Sequence, residues 1–203
     1  MNCTVPNAKT AIWVGLDGAG EPHSTATVEQ LGTMATCGST AGAAPSYKAW
    51  WEMKAESPDN EYSTGEYMFD VSPGDYIEAL VTYTEAGTFV LHLIDLTAHK
   101  EFSTTKTCNP NRTCYRNSAE FIVERPGDPT SLPLGDYGTV VFTEMAVTAS
   151  SNENFERADV TMRQSNTTMT LSSCGGIVFP PTSGGDRLEM PREVLCEWYA
   201  ATP

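Results

Sequence analysis

The chain has 203 residues, enough for one sizeable core, and its 12 Lys and Arg against 26 Asp and Glu give a formal charge of −14. That balance excludes the basic patches nucleic acid needs and disfavours anionic membrane surfaces. No run of about 18 apolar residues is present, so no transmembrane helix is expected, and nothing after Met1 reads as a signal peptide.

Helical periodicity is almost absent. The chain reads instead as short alternating segments at residues 11–17, 25–32, 47–53, 67–71, 76–84, 88–95, 119–124, 138–147, 158–163, 167–172 and 193–199. Turn residues separate them: Ser72-Pro73-Gly74-Asp75, Glu85-Ala86-Gly87 and Ser183-Gly184-Gly185-Asp186, with residues 38–45 expected as a flexible connection and 52–66 as an acidic, solvated loop. Many short strands with regular turns predict an all-β antiparallel sandwich or barrel. No repeat or second core is visible, so 1–203 is expected to be one domain.

Because alternate strand residues share a face, four segments stand out. In 11–17, Trp13, Gly15 and Asp17 lie opposite Val14 and Leu16. In 25–32, Gln30 shares a face with Val28 and Gly32. In 47–53, Trp50 and Glu52 lie opposite Trp51 and Met53. In 119–124, Glu120, Ile122 and Glu124 lie opposite Phe121 and Val123. A face carrying Trp13, Asp17, Gln30, Trp50, Glu52 and Glu124 combines aromatic area, an amide and carboxylates, as a substrate cleft does. Each residue also has a plainer role open to it. Trp13 and Trp50 could be core, and Asp17 could start a turn with Gly18. Gln30 could be a structural amide, and Glu52 could pair with Lys48.

His23, His92 and His99 stand in no ligand spacing, and the six cysteines form no C-x-x-C pair, so neither a metal nor a cofactor is expected. Cys108 and Cys114 bracket a loop short enough for a local disulfide, and Cys174 and Cys196 could join two late strands, although six cysteines allow fifteen connectivities. An even cysteine count and sequons at Asn2, Asn111 and Asn166 point to a secreted protein.

Taken in order, Trp13-Val14-Gly15-Leu16-Asp17-Gly18, Glu29-Gln30-Leu31-Gly32-Thr33, Tyr47-Lys48-Ala49-Trp50-Trp51-Glu52, Ser72-Pro73-Gly74-Asp75, residues 117–126 and Asp136-Tyr137-Gly138-Thr139-Val140-Val141-Phe142 resemble the glutamic peptidases (eqolisins, peptidase family G1). The resemblance implies a concanavalin-like, jelly-roll type sandwich of two curved antiparallel sheets. It also implies a secreted, pepstatin-insensitive endopeptidase active in acid. Carried over by position, the catalytic Gln falls on Gln30 and the catalytic Glu on Glu124, while Trp13, Asp17, Trp50 and Glu52 line the cleft or support the pair. The expected partner is a polypeptide substrate met by a monomer, with no nucleic acid, membrane, metal or cofactor. Met34 stands where the family has Asp. The Trp-Gly strand that opens family domains has no counterpart ahead of residues 1–10, which would leave one sheet edge unpaired. A family cysteine that pairs with the Cys114 position falls on Ser24, which favours Cys108–Cys114.

Two other classes fit the same face. A glycoside hydrolase would use Glu52 and Glu124 as paired carboxylates, about 5–5.5 Å apart for retention or roughly 6.5–9.5 Å for inversion, and leaves Gln30 without a role. A carbohydrate- or peptide-binding module would use Trp13 and Trp50.

Overall fold

Apolar and polar residues that alternate in short runs can bury their apolar half only by pairing into sheets and stacking those sheets. The computed structural model describes residues 1–17, 27–53, 67–84, 88–108, 114–116, 118–126, 135–137 and 140–143 with side chains. It describes the backbone of 66, 144–149, 156–158, 163–164, 167–168, 176–179 and 191–199. Every regular element among the described residues is a strand. In chain order these are β1 (Lys9–Asp17), β2 (Val28–Thr36), β3 (Ser46–Met53), β4 (Glu66–Asp70), β5 (Tyr76–Thr84), β6 (Thr88–Asp95) and β7 (Lys100–Thr107). They continue as β8 (Ala119–Glu124), β9 (Phe142–Ala149), β10 (Glu156–Ala158), β11 (Arg163–Gln164), β12 (Thr167–Thr168), β13 (Gly176–Phe179) and β14 (Pro191–Tyr199).

A seven-stranded sheet runs β10-β13-β8-β1-β2-β3-β4, a five-stranded sheet runs β7-β6-β5-β14-β9, and β11 pairs with β12. All the pairings are antiparallel, as the alternation predicts. The core lies between the two large sheets. The first contributes Ile12, Val14, Leu16, Leu31, Trp51, Met53, Phe121 and Val123, and the second Ile77, Ala79, Val81, Phe89, Leu91 and Leu93. Burying each side chain of Leu or Phe size stabilises the sandwich by about 1.5–3 kcal/mol.

Two strands escape the sequence pattern. The β7 segment, Lys-Glu-Phe-Ser-Thr-Thr-Lys-Thr, is too polar to show apolar alternation. It forms because β6 offers it a full ladder, and its Phe102 stacks on Trp51 at 6.3 Å between ring centroids. β13 has four residues, beginning on the second glycine of a Gly pair and ending at a Pro pair, and it joins the sheet by pairing with β8. β2 also runs on to Thr36, past the expected end at 32, because residues 33–36 complete the ladder with residues 9–12 of β1.

The 72–75 turn forms as predicted: Gly74 takes a φ of 90°, and the Ser72 amide donates to Asp75 Oδ2 at 2.6 Å. Residues 38–45 are not the free connection expected. The Gly42 amide donates to Cys3 O at 2.8 Å, the Asn7 amide donates to Gly38 O at 2.9 Å, and a Cys3–Cys37 disulfide fastens the same region. Cys108 and Cys114 are bonded to each other. The expected turns at 85–87 and 183–186, the loop at 54–65 and a Cys174–Cys196 pair lie outside the described residues.

Candidate active site

The face of the seven-stranded sheet turned away from the core carries the polar residues, and strand register arranges them in rows. Across β8, β1, β2 and β3, one row reads Glu120, Gly15, Gln30, Glu52. The next reads Ile122, Trp13, Gly32, Trp50 and ends on Tyr67 of β4. The third reads Glu124, Ala11, Met34, Lys48 and Asp70. All six expected residues except Asp17 therefore fall in adjacent rows of one face. Asp17 ends β1 beyond them, with a φ of 65°.

Gly15 sits between Glu120 and Gln30, and a Cβ there would come within 2.9 Å of the Trp13 ring. Only glycine lets that indole lie along its own strand. Trp13 and Trp50 are each 4% exposed and pack with Ala11, Val28, Met34 and Ile122 as a small apolar cluster of their own, separate from the main core. They form a buried floor for this face, the plainer of the two roles open to them.

Gln30 Nε2 donates to Glu52 Oε2 at 2.9 Å. A carboxylate can only accept, so this contact fixes which end of the amide is the NH₂ and leaves its second N–H available. Lys48 does not reach Glu52; its ammonium pairs with Asp70 at 2.6 Å on the exposed edge. The Tyr67 hydroxyl approaches the Met34 sulfur at 3.7 Å.

Burial raises the Glu124 pKa. The Trp13 indole N–H opposes the rise without forming a hydrogen bond of regular geometry, and the Glu52 charge adds to it. Glu52 acts on Glu124 although β1 and β2 lie between their two strands. Glu120 is 4% exposed and its pKa is pushed up to about 8, chiefly by desolvation, then by Glu124 and Asp17. Asp17 accepts a hydrogen bond from Thr27 Oγ1 at 3.1 Å.

A face combining an oriented amide, a half-buried carboxyl of raised pKa and buried indoles is equipped to hold a carbonyl and move a proton. The model of the peptidase A4 family matches residues 2–176. The chain belongs to that family. As a member of the peptidase A4 family, which comprises the G1 glutamic peptidases, it is a glutamic endopeptidase. Its fold is similar to that of aspergilloglutamic peptidase from Aspergillus niger, at 22% identity over 86% of this chain and 99% of that one, with a TM-score of 0.61. Scytalido-glutamic peptidase, solved with a peptide-based transition-state analogue, is similar at 21% identity over 95% and 84% of the two chains, with a TM-score of 0.56. At such identities the likeness shows the shared β-sandwich. No curated protein sequence matches the chain.

Two buried carboxyls near these rows, Glu120 and Glu29, are not among the residues the sequence proposes for the site. Glu120 has the same strand phase as Glu124, and that was the available signal. Its place beside Gln30, across Gly15, depends on pairing that no single strand reveals. Glu29 is a carboxyl at a core-facing position, and a charge at an inward phase was the clue.

Proposed function

We propose that the protein is an acid-acting, pepstatin-insensitive endopeptidase in which Glu124 activates water and Gln30 stabilises the oxyanion. The observation that carries this reading is the Gln30–Glu52 hydrogen bond, which aims the second amide N–H away from Glu52, on the face that Glu124 shares. Glu124 as carboxylate takes a proton from water while the water oxygen attacks the scissile carbonyl. The protonated Glu124 then gives that proton to the leaving amine as the C–N bond breaks. Gln30 donates to the carbonyl oxygen as its charge develops, and because an amide does not titrate it does so throughout the acid range. Glu52 orients Gln30, and Trp13 biases Glu124 towards the carboxylate.

The substrate is a polypeptide in extended form, bound by a monomer, with no metal or cofactor. Two disulfides and three sequons support an exported protein. A glycosidase using Glu52 and Glu124 leaves the oriented amide unexplained.

The test is hydrolysis of denatured casein in acid, with and without pepstatin, by wild type, Glu124→Gln and Gln30→Ala. Cleavage that resists pepstatin and is lost in both variants supports the assignment. Variants that cut as fast as wild type refute it.

A further inference from the structure

Beneath the site lies a pair of carboxyls that the hydrolytic mechanism does not use. Glu29 precedes Gln30 on β2, so strand geometry turns it to the core side. It is fully buried. Its register partners are Leu16 on β1 and Met53 on β3. From the opposite sheet, β5 and β6 pack against β2 with apolar inward residues, among them Ala79, Val81, Phe89 and Leu91. Lys106 of β7 lies over the Trp51 ring and Arg116, between β7 and β8, over the Tyr83 ring, and among the described residues no cation acts on the Glu29 carboxyl.

What adjoins Glu29 is another acid. Asp17 is also fully buried, and its carboxyl and the Thr27 hydroxyl flank Glu29, although neither Glu29 oxygen makes a hydrogen bond of regular geometry. On its far side Asp17 senses Glu120 of β8. Two adjacent carboxyls in a dry interior cannot both ionise without opening that interior to water. Burial first, and then the Asp17 charge, push the Glu29 pKa well above the usual carboxylate range.

The strand ends they join carry the site. Asp17 pairs with Val28, two residues before Gln30, and its amide donates to Ser118 O at 3.0 Å, next to the start of β8. We propose that Asp17 and Glu29 form a carboxyl latch that closes the β1–β2–β8 end in acid and releases it as the pair ionises, switching the peptidase off towards neutral pH. The effect on activity rests on the assignment of Gln30 as oxyanion donor; the effect on folding does not. Glu29 binds no substrate. It acts through the strand that positions Gln30, and its pair titrates jointly.

The experiment compares wild type with Glu29→Gln and Glu29→Leu, following kcat/KM and the melting temperature from acid to pH 8. A protonated carboxyl and an amide are nearly isosteric, so Glu29→Gln should keep acid activity within about threefold. Its alkaline limb should move up by about one pH unit or more, and its melting temperature should fall less between acid and neutral pH. Glu29→Leu should move the melts in the same direction. An alkaline limb and melts unchanged from wild type would overturn the latch, and so would a Glu29→Gln chain that fails to fold in acid. If Gln30→Ala cuts as fast as wild type, the dyad fails while the melts still decide the latch.

Discussion

Asp70 and Glu120 belong to the same seven-stranded sheet, yet pH acts on them in opposite senses. Asp70 lies exposed on the β4 edge, where the Lys48 hydrogen bond and charge hold its pKa below the ordinary value. Glu120 lies on β8, buried among acids, where desolvation dominates and its pKa climbs to about 8. The contrast separates an edge carboxylate that holds its charge further into acid from a buried carboxyl that keeps its proton well above the ordinary range. An enzyme built this way should gain nothing in acid from its edge and a great deal from its interior.

The largest effect should come from Glu124. Glu124→Gln removes the only group proposed to carry the proton, and kcat/KM in acid should fall by about 10²–10⁴-fold with little change in melting temperature. Loss of less than tenfold would place the chemistry elsewhere, with Glu120 the next carboxyl to test.

Stability should follow the interior acids. Folded Glu120 keeps its proton to about pH 8, whereas the unfolded chain releases it near the ordinary value of 4.5. Between those values the folded state binds more protons, so the stabilisation is complete below 4.5, declines as pH rises and is lost by about 8. That span corresponds to roughly 5 kcal/mol. Denaturant titrations across it should show wild type weakening with rising pH and Glu120→Gln weakening distinctly less. Equal slopes would erase the distinction between interior and edge.

The smallest effect belongs to the edge. Lys48→Ala removes the partner of an exposed carboxylate, and such pairs contribute little. Its melting temperature should match wild type within error at acid and neutral pH. A clear loss would mean that Lys48 supports the row it shares with Glu124.

The sequence disclosed the all-β architecture because apolar alternation survives in nearly every core strand, and the phase of 119–124 alone places Glu120 and Glu124 on the face opposite Phe121. β7 stayed hidden because an edge strand needs only one partner and little apolar area. The rows were hidden for a different reason. Register is a property of strand pairs, so nothing within 119–124 announces that Glu120 stands beside Gln30, or within 46–53 that Lys48 reaches across to Asp70 and leaves Glu52 to the amide. Trp13 and Trp50 fell on the anticipated face, but their burial depends on what packs around them, which strand phase does not report.

The most direct measurement is a double-mutant cycle on denatured substrate in acid, with wild type, Glu124→Gln, Gln30→Ala and the double variant. Removing an oxyanion donor typically costs about 10²–10³-fold. If Glu124 and Gln30 work on one water and one carbonyl, the double variant should be scarcely slower than the worse single one. Fully multiplicative losses, or a single variant as fast as wild type, would contradict a shared site.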